Sequence, residues 1–138
     1  MKFFLSFLII FMIIFMIVDI FIVTYVIYKK SKNKISEKHK LEIQKSWKNI
    51  IKQKDMKHAI LEADKLLDYT LHLMHFKGNM GNKLKKSSHL FKKDINKIWS
   101  AHKIRNNIAH QMNYEVNEKI YKKTMLSFKT AFKDLKIF

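Results

Sequence analysis

One stretch organises this sequence: Trp99-Ser-Ala-His-Lys-Ile-Arg-Asn-Asn-Ile-Ala-His110. It contains the only arginine of the chain, Arg105, against 27 lysines. A planar guanidinium can hold a phosphate or a carboxylate with two parallel hydrogen bonds, which an ammonium cannot do. Five positions later comes His110, and histidine is the side-chain type that titrates near neutral pH. A phosphate-binding cation followed by a proton-transfer group suits RNA cleavage, so Arg105 and His110 are the candidate catalytic residues.

This stretch ends a predicted helix that begins after Asp94, a suitable N-cap residue. The inward stripe of the helix is apolar, then polar, then apolar again, in the order Ile95, Ile98, Trp99, His102, Arg105, Asn106, Ile108 and Ala109. A core stripe that turns polar at one end is typical of a functional site. Asn106 lies four positions before His110 and can orient its ring, and His102 lies four before Asn106, so both are candidate supporting residues. Alternatively, these groups only stabilise the helix end, where His and Arg suit the helix dipole.

Helical periodicity extends over the rest of the C-terminal part. Apolar residues spaced by three and four positions predict helices over residues 43–51, 59–74 and 84–91, and a last one from 117 to about 136. Asp55 is a suitable N-cap for the second of these helices. The two glycines, Gly78 and Gly81, mark the main turn, and the chain contains no proline. The sequence therefore predicts an all-α fold, a bundle of four main helices and a short one.

A second polar stripe raises the question of a metal. Asp68, His72 and His75 stack at i, i+4 and i+7, a spacing and a set of side chains that can hold a metal ion. We favour a solvated face, because this stripe avoids the apolar stripe of its helix and no fourth ligand is in view. The chain contains no cysteine, which excludes disulfides and thiolate metal sites. We therefore expect no metal and no cofactor.

The N-terminal part is an apolar run of 26 residues from Phe3 to Tyr28, interrupted by Ser6, Asp19 and Thr24. As a helix, the run exceeds the roughly 30 Å hydrocarbon core of a bilayer and can span it with some tilt. It lacks the short apolar core and the small-residue cleavage site of a signal peptide. We therefore predict a retained anchor, in which the costly Asp19 carboxyl faces a partner helix in an oligomer or is protonated.

Charge on either side of the run predicts its orientation. Lys2 precedes it, whereas four lysines follow within six residues of Tyr28. The positive-inside rule places the C-terminal part in the cytoplasm, so the chain is expected in the cytoplasmic membrane as a single-pass protein. Residues 29–40 contain six lysines and one acid, Glu37, and form a predicted juxtamembrane linker that lies along anionic lipid headgroups. The predicted organisation is an anchor over 1–28, this linker, and a helical bundle over 41–138.

The chain carries 28 Lys and Arg against 11 Asp and Glu, a formal net charge of +17. Codon bias towards lysine accounts for such an excess without any function. Whatever its origin, a field of this sign attracts nucleic acid or anionic lipid.

Several stretches resemble one family. Arg105-Asn-Asn-Ile-Ala-His110 resembles the Arg–four-to-six–His signature of HEPN domains, including the polar residue that the family favours directly after the arginine. Ala59-Ile-Leu-Glu-Ala-Asp-Lys-Leu-Leu-Asp68 is similar to the second helix of small HEPN-like proteins. Met80-Gly-Asn-Lys-Leu84 and Ile98-Trp-Ser-Ala-His-Lys103 look like the turn and the motif helix of a membrane-anchored subgroup. The resemblance covers about residues 41–136.

The resemblance implies a helical bundle that forms a homodimer with its two motifs facing each other. Many HEPN domains are metal-independent endoribonucleases, and others keep the fold only to bind partners or nucleotides. Three interpretations follow. In the first, the chain is a membrane-tethered endoribonuclease that acts on RNA with Arg105 and His110 and is controlled by an antitoxin or another regulatory protein. In the second, it is a non-catalytic HEPN-fold module that binds a partner or a nucleotide. In the third, it is a basic membrane-surface protein in which both residues are only structural.

Overall fold

The computed structural model describes residues 2–32, 34–92 and 94–138, except for the side chains of residues 2, 5 and 29–32. Throughout this part the chain is helical and contains no strand, which confirms the predicted all-α fold. It divides into two compact units, residues 1–34 and 35–138.

The first unit is one helix, α1 (Lys2–Lys32). Its segment Ser6–Tyr28 has 23 residues with a mean hydropathy of 3.0 and no buried residue. By length and composition it can cross a membrane, a property that signal sequences and core helices of soluble proteins share. The hydroxyl of Thr24 donates to the carbonyl oxygens of Ile20 and Phe21, each at 2.9 Å. This polar group is therefore satisfied by the backbone of its own helix, as an apolar environment requires.

The second unit contains the predicted four main helices and one short helix. They are α2 (Glu37–Ile50), α3 (Met56–Leu73), α4 (Met80–Ser87), α5 (Ile95–His110) and α6 (Glu118–Asp134), with a 3₁₀ turn at Ser88–Leu90 after α4. Each of the five helices begins at a side chain that accepts a hydrogen bond from a first-turn N–H group: Ser36, Asp55, Asn79, Asp94 and Asn117. The N-caps predicted at Asp55 and Asp94 are confirmed.

Two boundaries differ from the sequence prediction. The short helix begins at Met80 rather than at 84, because the Asn79 side chain accepts the Asn82 N–H at 2.9 Å and starts the helix there. Gly81 therefore lies in the first turn of α4, and of the two glycines Gly78 is the one with a positive φ, +111°. The predicted linker over 29–40 is also divided differently, since α1 runs to residue 32 and α2 begins at residue 37. Its charged side chains at 29, 30 and 32 lie outside the described residues.

Helix α3 is the centre of the bundle, because it contacts α2, α4, α5 and α6. The largest fully buried apolar side chains come from α2, α3, α4, α6 and the C-terminal end of the unit: Ile43, Ile60, Leu67, Leu71, Leu84, Phe128, Phe132 and Ile137. Trp47 packs edge-on against Phe132 with ring centroids 5.3 Å apart, which joins α2 to α6. Any polar residue on the inner side of α3 is thereby placed inside the core.

The two glycines allow a matched test of the turn before α4. Gly78→Ala forces an L-residue into positive φ and puts its Cβ 2.9 Å from the Asn82 Cβ. We expect it to lower the free energy of unfolding by about 1–3 kcal/mol. Gly81→Ala places its Cβ at an ordinary 3.5 Å from the Trp99 ring and adds a helix former, so stability stays equal or rises by up to about 1 kcal/mol. Urea unfolding of residues 35–138, followed by circular dichroism, measures both. Equal losses in the two variants would contradict this account.

Candidate functional site

The site is built around Asp64, an acid in the middle of the buried side of α3. It is only 3% exposed, and its neighbours on that side are Ile60, Ala63 and Leu67, all fully buried. A carboxylate at such a position is strongly disfavoured unless charged or hydrogen-bonding partners compensate for the loss of water. The partners must therefore come from a helix that packs against α3.

Helix α5 supplies two partners, one for each carboxylate oxygen. The Nδ1 atom of His102 lies 2.8 Å from Oδ1 of Asp64. The Nε atom of Arg105 lies 3.4 Å from Oδ2 of Asp64. The Nε–H bond is not directed at that oxygen, so the contact is an ion pair rather than a hydrogen bond. The buried carboxylate thus joins the core helix to the motif helix.

Asn106 closes these contacts into a ring. Its Oδ1 atom accepts a hydrogen bond from Nη1 of Arg105 at 3.1 Å, and its Nδ2 atom lies 3.3 Å from Nε2 of His102. Asp64, His102, Asn106 and Arg105 therefore form a closed ring of four side chains, which we call the Asp64 ring. Each member contacts two others, so the position of each side chain is fixed from two directions.

The pattern of contacts in the Asp64 ring assigns its protons. Because Oδ1 of Asn106 accepts from Arg105, the amide nitrogen of Asn106 faces His102 and donates to its Nε2 atom. His102 Nε2 is then an acceptor and carries no hydrogen. The imidazole proton lies on Nδ1 and is donated to Asp64. Both nitrogens of the His102 imidazole are therefore engaged within the Asp64 ring, which suits a positioning residue.

Arg105 keeps part of its guanidinium for other partners. Its side chain is 35% exposed. A guanidinium has five N–H donors, of which Nε faces Asp64 and one at Nη1 serves Asn106. The second N–H of Nη1 and both of Nη2 make no hydrogen bond to the described residues. These three donors are arranged for bidentate contact with an anion.

Arg105 lines a cleft of about 720 Å³ between α3, the start of α4 and α5. The walls of the cleft also include the other three members of the Asp64 ring, the turn around Gly78, and neighbouring charged and apolar side chains. These lining residues are Leu61, Glu62, Asp64, Lys65, Asp68, Gly78, Asn79, Met80, Gly81, His102, Asn106 and Ala109. The volume falls within the range of small-ligand sites. One nucleotide is a ligand of suitable size.

His110 does not join this arrangement. It is the last residue of α5, is exposed, and is not among the residues that line the cleft. Five positions correspond to about 140° around a helix, so Arg105 and His110 point to different sides of α5. Asn106 directs its amide to His102 and Arg105 rather than to His110, the partner that the sequence suggested. One chain therefore brings together Arg105, His102 and Asn106, but not His110.

In the stripe of Asp68, His72 and His75, the acid forms an ion pair with a lysine. Asp68 Oδ2 lies 2.8 Å from Nζ of Lys83, whose side chain is only 7% exposed. Lys83 also donates to the carbonyl oxygen of Asp68 at 3.3 Å. His72 and His75 are exposed. Among the described residues, no three His, Cys, Asp or Glu side chains come together as metal ligands.

Charge at the rim of the cleft is mixed. Glu62 and Lys65 lie on α3 with their charged atoms 3.7 Å apart, and the Lys65 side chain is largely exposed. On α6, away from the cleft lining, the Lys122 ammonium donates to the Glu118 carboxylate and lowers the pKa of Glu118. Lys65 and Arg105 are the lysine and arginine side chains among the residues that line the cleft.

Comparison of the chain with models of known protein families, with curated proteins and with solved structures finds no match. The functional assignment therefore depends on the geometry of the site and on the sequence itself.

The Asp64 ring can be tested through stability. Asp64→Asn replaces two acceptors by one acceptor and one donor, so either His102 or Arg105 faces an NH₂ group. We expect unfolding of residues 35–138 to become easier by about 1–3 kcal/mol, less than for a fully buried ion pair because Arg105 is partly exposed. Glu62→Gln, on the same helix and paired only at the surface, is the control and should change stability by less than about 0.5 kcal/mol. Indistinguishable urea midpoints for the two variants would show that the ring does not stabilise the bundle.

Proposed function

We propose that the chain is a membrane-tethered HEPN-like endoribonuclease that binds an RNA phosphate at Arg105 and cleaves with His110 at a homodimer interface. The observation that carries the proposal is the position of Arg105. Asp64 contacts its Nε atom and Asn106 its Nη1 atom, and the side chain lines a nucleotide-sized cleft with further donors available. A cation fixed in this way loses little conformational entropy when it binds a phosphate.

The chemistry of RNA explains why these residue types suffice. The 2′-hydroxyl of the substrate is the nucleophile, so the protein needs a base, an acid and a group that stabilises the added negative charge on phosphorus. The base takes the 2′-hydroxyl proton while the 2′-oxygen bonds to phosphorus. The bond from phosphorus to the 5′-oxygen breaks, and the acid protonates that oxygen. The products are a 2′,3′-cyclic phosphate and a 5′-hydroxyl end, and neither metal nor cofactor takes part.

The homodimer supplies what one chain lacks. His102 has both ring nitrogens engaged in the Asp64 ring, so it positions Arg105 through Asn106 rather than transferring protons. His110 is exposed and can meet the cleft of a second copy, and two copies provide two such histidines for the base and the acid. The resemblance to HEPN domains supports this arrangement, since it implies two motifs that face each other.

The N-terminal unit is the proposed tether. α1 contains a segment long and apolar enough to span a bilayer. The lysines of residues 29–40 bind anionic headgroups on the cytoplasmic side, where RNA is also present. An antitoxin or another regulatory protein restrains cleavage in this proposal, because an unrestrained ribonuclease is harmful to its own cell.

A second candidate is a non-catalytic HEPN-fold module that binds a nucleotide or a protein partner. Two observations favour it. Arg105, His102 and Asn106 all contribute to the internal Asp64 ring, which gives the motif a structural role. His110 is not in contact with Arg105 within one chain, so the motif is retained without forming a complete catalytic group there.

Ribonuclease assays of the full chain in a non-ionic detergent with EDTA separate the candidates. For the endoribonuclease, Arg105→Lys keeps the positive charge but loses the bidentate contact and most activity. His110→Ala loses about 10²–10⁴-fold, as expected for a general acid or base. The controls are Lys103→Arg on the exposed side of α5 and His72→Ala on α3, which should stay near the wild-type rate.

The same preparation should sediment as a dimer. Cleavage that persists in the Arg105→Lys, His110→Ala double variant would exclude the catalytic assignment. An inactive wild type whose nucleotide binding still depends on Arg105 would support the non-catalytic module.

Topology is tested separately. Because four lysines follow the span closely and one precedes it, a reporter that is active only in the cytoplasm should be active when fused after Phe138. A reporter that is active only in the periplasm should stay silent there. Strong periplasmic activity would contradict the orientation and remove access to cytoplasmic RNA.

A further inference from the structure

Trp99 is an exposed aromatic side chain next to the cleft. It is 37% exposed, whereas the other tryptophan of the chain, Trp47, is 5% exposed and packed in the core. Ile98 is the buried residue of this turn of α5, whereas the Trp99 indole lies against Gly81 of α4 and keeps part of its surface exposed. The environment of its ring therefore matters.

Two groups that line the cleft fix the Trp99 ring. The His102 imidazole, which belongs to the Asp64 ring, packs edge-on against the Trp99 indole. The angle between the two ring planes is 71° and their centroids are 6.2 Å apart. Gly81 lies against the far end of the indole, since a Cβ added there would be 3.5 Å from the ring. Trp99 and His102 are three positions apart on α5, and Arg105 follows three positions later. Trp99 and Arg105 are therefore about 9 Å apart along the α5 axis and about 120° apart around it, with His102 between them.

We propose that Trp99 forms a base-binding subsite, on which a base of single-stranded RNA stacks while Arg105 holds a phosphate of the same strand. The subsite rests on the proposed function, because it assumes that the anion at Arg105 belongs to RNA. It adds the substrate class: the strand must be unpaired at this position. In a duplex the faces of the bases are covered by their neighbours, whereas an unpaired base can leave the stack and lie on an indole.

Charge and rigidity support this occupant. The chain carries a net charge of +17, which attracts a polyanion from a distance. The free donors of Arg105 suit phosphate oxygens, and they do not cover the flat face of a base. An indole that is already held by His102 and Gly81 stacks without first losing rotamer freedom. A free phosphate is too small to reach both groups, so the pair favours a nucleotide strand.

Binding of a non-cleavable strand tests the subsite. The full chain in non-ionic detergent is titrated with a short single-stranded 2′-O-methyl oligonucleotide and with an abasic strand that has the same number of phosphates. We expect Trp99→Leu to weaken binding of the base-bearing strand by about 5- to 100-fold, the usual effect of losing one stacked base. Binding of the abasic strand should change by less than about twofold. Trp99→Phe, which keeps an aromatic face, should restore most of the affinity.

Fluorescence provides a readout that does not alter Trp99. In the Trp47→Phe variant, Trp99 is the remaining tryptophan, and the base-bearing strand should quench its emission whereas the abasic strand should not. Unchanged emission at saturating strand would overturn the subsite. So would equal weakening of both strands by Trp99→Leu, which indicates a general structural effect.

The outcomes also separate the subsite from the proposed function. If Arg105→Lys weakens both strands and Trp99→Leu weakens neither, the subsite is wrong and phosphate binding at Arg105 stands. If Trp99→Leu weakens the base-bearing strand and Arg105→Lys weakens neither, the subsite stands and the proposed role of Arg105 is wrong. If Trp99→Leu converts a dimer into a monomer in sedimentation and emission does not respond to the strand, Trp99 is a contact between two copies and the subsite is overturned.

Discussion

The buried carboxylate of Asp64 is the constraint on which the site depends. A charge at 3% exposure on the central helix is tolerated only because α5 brings a histidine and the arginine to its two oxygens. That requirement determines how α5 lies against α3, since an axial shift of one turn would leave the carboxylate without partners. The polar end of the α5 stripe is therefore a packing solution as well as a candidate site. Packing and the proposed function use the same residues.

The solitary arginine follows from this double use. The guanidinium compensates Asp64 through Nε and donates to Asn106 through Nη1, and the same side chain lines the cleft with other donors free of hydrogen bonds to the described residues. A lysine ammonium at this position would have one charged atom and no second edge, so it could pair with Asp64 or face the cleft but not both. In a chain whose composition favours lysine, the arginine marks the one position where two directions of contact are needed. Its value as a functional marker is therefore inseparable from its structural role.

Much of the fold was predictable from the sequence, and the decisive contacts were not. Helical periodicity and the N-caps at Asp55 and Asp94 are local features, and local features are readable along the chain. The start of α4 was predicted wrongly because its N-cap, Asn79, lies between Gly78 and Gly81. Two glycines so close together indicate a turn and not the first turn of a helix. The buried Asp64 and Lys83 were missed because their partners lie 38 and 15 positions away. One clue was present: Asp64 lies within an apolar stripe, where an acid needs a partner. His110 has the expected spacing, but helix rotation points it away from Arg105.

The lysine excess and the single arginine act at different ranges. The net charge of +17 is spread over the exposed sides of the helices, where salt screens each charge within about 8–10 Å, so it raises the encounter rate with any polyanion without selecting one. Selection requires groups that are fixed and partly shielded from water, and the Asp64 ring provides that environment for Arg105. A lipid surface attracts these lysines as well as RNA does, so long-range charge does not distinguish the two proposed partners. A ligand that also reaches the cleft gains contacts that lipid headgroups at the surface do not make. The proposed function therefore requires that RNA be distinguished from the membrane in the cleft, at the fixed guanidinium of Arg105.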